Sequence, residues 1–349
     1  MEWSGTPARS FSTGVSLHSH TLHSRETLSF LGKYKQIPGK DGTRLDLSQA
    51  WWTPPLGPYE AWLIERNHIE QRFGLLALVS LTDHDDIEAP LKLRVLDECR
   101  HVPVSVEWTV PYGPTFFHLG VHNIHEGTAR SIFTDMQSFT AASMLEVLAA
   151  DPATLIVFNH PAWDEQGIGK AEHLMLAAQF LRAHREFIHA VEINGFRPWK
   201  ENRTAWRMAQ AMGKPIVAGG DRHALEPNTV LDLTNAGSFP EFAEQVRNGW
   251  SDVLVTSQYR EPLRLRVLQS VQEVLQECDA HAYGWRRWSE RIFYQCEDGA
   301  VRSLLSLLSP SAGATVQFLV GTVLAIRGRL FSKPLRTLRS VLPQHELAL

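Results

Sequence analysis

Cysteine is scarce in this chain of 349 residues: Cys99, Cys278 and Cys296 are far apart and form no CxxC pair. That spacing excludes a disulfide framework and a thiolate metal site, and it reads as reduced thiols in a cytoplasmic protein. An excess of positive charge is also missing. Lys and Arg number 34 against 38 Asp and Glu, for a formal net charge of −4. Stable binding of duplex nucleic acid is therefore not expected, since no global basic field supports it. The apolar run TVQFLVGTVLAI (315–326) is shorter than the roughly 20 residues that span a bilayer. The leading MEWSGTPARSFSTG lacks the apolar core of a signal peptide, and neither an internal repeat nor a low-complexity tract occurs. What is present is an ordinary globular composition, 44% hydrophobic and 21% charged.

Short apolar runs at 13–18, 75–81, 102–108, 116–124, 154–160, 189–196 and 214–220 read as strands. Helical spacing occupies 61–74, 129–150, 170–187 and 201–212. This alternation predicts a mainly parallel α/β architecture, in which ligands gather at the carboxyl ends of strands. The double glycine Gly219-Gly220 is read as a sharp turn past a strand end. The Gly-, Pro- and Trp-rich stretch 30–60 reads as an insertion in a domain spanning 1–255, and 256–349 as a helical C-terminal extension.

Six clusters of metal-binding residue types punctuate the first part of the chain. They are His18-Ser19-His20, Asp83-His84-Asp85, Glu107, His118 with His122, Asn159-His160-Pro161 and Asp221-Arg222-His223. His18 and His20 alternate, so an extended backbone turns both imidazoles to one side; Asp221 and His223 repeat that logic. Glu107 ends an apolar run, where an unpaired carboxylate is costly. His118 and His122 share a face of an extended strand, and periodicity does not choose between them. Taken singly, each cluster is more often structural: a surface histidine, a helix cap by Asp83 or Asp85, or a satisfied core imidazole. Six of them, each after an apolar run, point to one polynuclear centre.

In that order the residues resemble the PHP (polymerase and histidinol phosphatase) family. Its succession of HxH, DH, Glu, His, HP and DxH is matched by His18/His20, Asp83-His84, Glu107, His118, His160 and Asp221/His223, over residues 12–235. The resemblance implies a distorted (β/α)7 barrel with two or three divalent ions at its carboxyl end, and hydrolysis of phosphoesters. It implies metal ligation by His18, His20, His84, Glu107, His118, His160, Asp221 and His223. The family usually has Asp or His shortly after the HxH. Here Arg25 and Glu26 stand there, so Glu26 is the candidate ligand and His23 the less favoured one.

Arg222 stands where a small residue is more usual, which places a guanidinium beside the ions. Arg222 and His223 are accordingly the candidate catalytic groups, the first gripping a phosphate oxygen and the second assisting the leaving oxygen. Arg197 and Lys200 are further candidates for the grip, with a solvated surface charge the blander reading of Arg197. Glu192 reads as a supporting or structural carboxylate. The imidazole content favours Mn²⁺, Zn²⁺ or Fe²⁺ over Mg²⁺. The implied substrate is a phosphorylated small molecule or a short oligonucleotide, whose bases Trp51, Trp52, Trp108 or Trp163 would stack. A rival reading is a metal-stabilised binding or scaffold protein acting through its tail. There Arg327, Arg329, Lys333, Arg336 and Arg339 follow the apolar run and suit a membrane surface or a partner. Packing of that helix on the domain, with its basic face solvated, is favoured over peripheral membrane contact.

Overall fold

Three of the apolar runs become strands that bury both faces: Thr13–Ser16, Leu155–Phe158 and Ala190–Asn194 expose no residue. The computed structural model describes residues 11–28, 36–134, 140–277 and 286–330. These fall into two compact units. The first is drawn from Met1–Glu26, Thr53–Val267 and Ala280–Gly284, the second from Thr27–Trp52, Leu268–Asp279 and Trp285–Leu349.

The first unit holds two sheets. One has the order Asp252–Val255, Val230–Thr234, Thr13–Ser16, Leu76–Val79; the other runs Ile216–Gly219, Ala190–Asn194, Leu155–Phe158, Thr115–His122, Val106–Tyr112. Three pairings are parallel, those of 13–16 with 76–79, 155–158 with 190–194, and 190–194 with 216–219. The other four are antiparallel, so the fold is mixed α/β rather than mainly parallel. The cause is local. Gly113, at φ 59°, and Pro114 close a two-residue hairpin between Val106–Tyr112 and Thr115–His122.

Among the described residues the ladders do not close into one barrel. Isolated parallel bridges at Ser19↔Arg222 and His84↔Glu107 join the extensions of the strands instead. Helices Lys170–Ala183 and Trp199–Met212 cover the five-stranded sheet, packing Ala177, Phe180, Leu181, Ala205 and Ala209 into a core with Phe158 and Val191. The helical stretch read at 129–150 resolves into Glu126–Thr134 and Ala141–Ala149, the second opened by a capping box on Thr140.

The second unit corrects the expectation of a helical extension. Ile292–Gln295 pairs antiparallel with Val301–Ser303 on one side and with Ala50–Trp52 on the other. Aromatic and β-branched side chains in IFYQ favour a strand once a partner strand is available from early in the chain. Leu28, Leu45, Leu47, Ala50, Leu304 and Leu308 form this unit's core. Helix Pro310–Leu330 follows. Among the described residues no helix is long and apolar enough to cross a membrane. Lys333, Arg336 and Arg339 lie outside the described residues.

Candidate metal centre

Three strand ends deliver side chains to one place by adopting backbone that L residues rarely take. His18 follows Thr13–Ser16 at φ 64°, His160 follows Leu155–Phe158 at φ 24°, and Asp221 follows Ile216–Gly219 at φ 56°. Asp85, next to His84, is at φ 52°. Such conformations persist only where surrounding contacts impose them, and they concentrate at functional sites.

Glu107 is the hub. Its Oε2 lies 2.9 Å from His18 Nε2, 3.3 Å from His20 Nε2 and 3.4 Å from His84 Nδ1. Its Oε1 lies 3.0 Å from His160 Nε2 and 3.5 Å from His118 Nδ1, and accepts a 3.0 Å hydrogen bond from Asn159 Nδ2. Asp221 Oδ1 stands 3.8 Å from His18 Nε2, 3.6 Å from His20 Nε2 and 3.5 Å from His223 Nδ1. Glu26 Oε2 completes the web at 3.2 Å from His223 Nε2 and 3.6 Å from His84 Nε2. Asp83 sits behind, accepting from Thr21 N at 2.5 Å and Thr21 Oγ1 at 2.7 Å, which anchors the loop that carries His84.

The nine residues expected to ligate are thus gathered together. Glu26 enters the cluster, whereas His23 sets its Nε2 3.2 Å from Lys92 Nζ. His118 enters it, whereas His122 places Nδ1 2.8 Å from Ser80 Oγ. Arg222 departs from expectation. Its Nε donates to Glu65 Oε1 at 2.8 Å and its Nη1 to the Ala224 carbonyl at 2.9 Å, directing the guanidinium to Glu65 rather than to the histidines. The guanidinium at the cluster belongs to Arg197, which donates from Nη2 to Asp221 Oδ2 at 3.0 Å and lies 3.4 Å over the Trp163 ring. Lys200 is exposed. Of the four tryptophans, Trp163 meets His160 with ring centroids 5.2 Å apart. Trp108 is core, and Trp51 and Trp52 pack within the second unit.

The glycines at 219 and 220 also have a different role from the one expected. Neither has positive φ. A Cβ on Gly219 would fall 1.6 Å from Glu192 Oε1, and one on Gly220 would fall 1.7 Å from Asn228 Oδ1. They make room for buried polar side chains.

Electrostatically the carboxylates dominate. Burial pushes Glu26, Glu107 and Asp221 upward, but their polar neighbours prevail and hold all three well below the usual carboxylate range. Those neighbours are His223 and His84 for Glu26, His18 and His84 for Glu107, and His20 and Arg197 for Asp221. Burial lowers the His223 imidazole, yet Glu26 and Asp221 raise it to about 9. His18 is likewise raised against burial by Glu107 and Glu192, while burial holds His118 well below its ordinary value.

The residues fit divalent cations. One ligand atom from each member lies within 4.8 Å of the others in four overlapping groups. These are His20/Glu26/His84/His223, His18/His20/Asp221, His18/Glu107/His160 and His84/Glu107/His118. Buried His20 Nε2 has no hydrogen-bond partner though it faces two carboxylates, as a nitrogen reserved for a cation would. Imidazole and carboxylate donors together suit Mn²⁺, Zn²⁺ or Fe²⁺.

No protein-family model and no curated protein matches the chain. Several solved structures do. One is PsfC from Pseudomonas syringae, 14% identical with a TM-score of 0.43 over 75% of this chain and 97% of that one. Another is an amidohydrolase from Chromobacterium violaceum with bound sulfate and no metal, 14% identical with a TM-score of 0.38 over 60% of this chain and 87% of that one. A third is a two-domain protein from Bacteroides vulgatus containing a predicted PHP-like metal-dependent phosphoesterase, 15% identical with a TM-score of 0.43 over 69% of this chain and 64% of that one. The chain is thus similar to PHP-like metal-dependent phosphoesterases among solved structures.

Proposed function

We propose that this chain hydrolyses phosphoesters at a centre of two or three divalent ions, with a phosphorylated small molecule or a short oligonucleotide as substrate. The observation that carries this reading is the web around Glu107, in which nine imidazoles and carboxylates offer overlapping ligand groups in a buried setting. As part of the same proposal, the two sheets and their two bridges constitute a distorted barrel of PHP type.

His18, His20, Glu26, His84, Glu107, His118, His160, Asp221 and His223 would hold the ions. Ions held there would supply Lewis acidity to activate a water and to offset charge on phosphoryl oxygens. The protein supplies the rest. His84 and His223 are the more open members, with side chains 20% and 18% exposed, and so mark the mouth through which a phosphoryl group enters. Where His223 does not ligate, its protonated imidazole would pass a proton to the leaving oxygen. Arg197, 3.4 Å over the Trp163 ring, offers a guanidinium for a nonbridging oxygen, a role its fork geometry suits.

The test is a panel of phosphate monoesters, nucleoside bisphosphates and short oligonucleotides with Mn²⁺, run beside His84→Ala and Asp221→Ala. Metal-dependent phosphate release or strand cleavage by the wild type, lost in both variants with their circular dichroism intact, is expected. No turnover of any class, or variants that work at the wild-type rate, contradicts the proposal.

A further inference from the structure

The central strand Ala190–Asn194 carries a buried carboxylate that belongs to none of the four ligand groups. Glu192 Oε1 lies 2.5 Å from His18 Nδ1, the ring nitrogen opposite the one that faces Glu107. Glu192 Oε2 accepts from the His160 backbone N–H at 2.8 Å and from Asn194 Nδ2 at 2.9 Å. That Asn194 amide reaches Asp221 Oδ2 at 3.4 Å, and the Asn194 backbone is itself pinned by Asn202 Oδ1 at 2.9 Å.

We infer that Glu192 is a positioning residue of the centre: one carboxylate fixes the His18 ring, the His160 turn and, through Asn194, Asp221 in the arrangement that receives the ions. This rests on the metal-centre reading above. His18, His160 and Asp221 come from three different strands, and all three have positive φ. A side chain on the strand between two of those elements is the shortest way to tie them. Glu192 flanks Leu155–Phe158 on one side and Ile216–Gly219 on the other, both parallel to its own strand.

Gly219 is the independent sign of this role. Its backbone needs no glycine on conformational grounds, yet any Cβ there would collide with Glu192 Oε1 at 1.6 Å. The neighbouring strand is therefore cut back to seat this carboxylate. A ligating imidazole whose far nitrogen is held by a carboxylate keeps its tautomer and ring orientation, and loss of such a partner typically weakens metal affinity by about 10–100-fold.

The test uses the full chain, stripped with a chelator and titrated with Mn²⁺ by calorimetry. Co²⁺ electronic spectra and the melting temperature of the metal-free protein are recorded alongside. Glu192→Ala should weaken Mn²⁺ binding by about 10–100-fold and shift the Co²⁺ bands. Glu192→Gln, which keeps an acceptor for His18 Nδ1 and the original volume, should recover part of that loss. Gly219→Ala, which displaces the carboxylate without touching residue 192, should reproduce it. Wild-type Mn²⁺ affinity and an unchanged Co²⁺ spectrum in Glu192→Ala and Glu192→Gln overturn the inference, whatever their melting temperatures. A wild type that binds neither ion overturns the metal-centre reading itself.

Discussion

Replacing Arg222 with Met separates a structural arginine from a substrate-binding one. Arg222 and Glu65 have side chains 4% and 0% exposed, joined at 2.8 Å. Glu65 also accepts from Ser16 Oγ at 2.9 Å and from the Asn228 backbone N–H at 3.1 Å, so the substitution leaves a buried carboxylate with neutral donors only. Removing one partner of a buried pair costs about 3–5 kcal/mol, and the remaining donors place this case near the low end. For a unit of this size that corresponds to a fall of roughly 6–12 °C in melting temperature. Glu65→Gln in the same chain removes the stranded charge and should restore much of the loss. Scanning calorimetry of the metal-free protein reads the effect, with Mn²⁺ titration as a control that should stay unchanged. If Arg222→Met melts with the wild type and instead loses affinity for inorganic phosphate, Arg222 reaches substrate and the structural assignment is wrong.

Arg197→Lys keeps the charge but loses both the stack on Trp163 and the planar fork, so KM should rise by about 10–100-fold, the worth of one charge-assisted hydrogen bond. An unchanged KM removes Arg197 from substrate binding. In the metal-free protein the His223 imidazole is raised to about 9 by Glu26 and Asp221. Its folded value therefore lies above its unfolded one. The resulting stability, on the order of 3 kcal/mol, is complete below about pH 6.5 and lost as pH rises through about 9. Glu26 is depressed and acts oppositely, losing its contribution as pH falls. Denaturation should show His223→Ala costly near about pH 6 and nearly neutral above about pH 10; equal cost at both excludes the ion pair.

Much of the centre was legible because ligand chemistry demands residue types that apolar strand ends rarely carry. The same alternation that set Asp221 and His223 on one side also turns Arg222 to the other, where Glu65 receives it. The departure of Arg222 from expectation follows from a rule already in hand. The choice between His118 and His122 was not legible, because both face the same way. It depends on strand direction. His122 pairs with Leu155 at the amino end of Leu155–Phe158, whereas the His118 carbonyl accepts from Asn159 N at the carboxyl end, where the cluster sits. Only the antiparallel course of Thr115–His122 puts His118 there. Arg197 gave a weak indication in NGFR just past a strand end, too far from the His and Asp motifs to be tied to them by spacing. The strands at 292–303 were missed for a different reason. Ile292–Gln295 pairs with Ala50–Trp52, a contact so distant in sequence that it leaves no local periodicity, and Val301–Ser303 adds to that strand.

The central claim is that Glu107 joins its neighbours into one polynuclear site, and the ion count per chain tests it most directly. Calorimetric titration of the chelator-treated protein with Mn²⁺ should saturate at two or three ions, and Glu107→Ala should lose at least one of them, since Glu107 belongs to two of the four ligand groups. No saturable binding, or an unaltered stoichiometry in Glu107→Ala, contradicts the account.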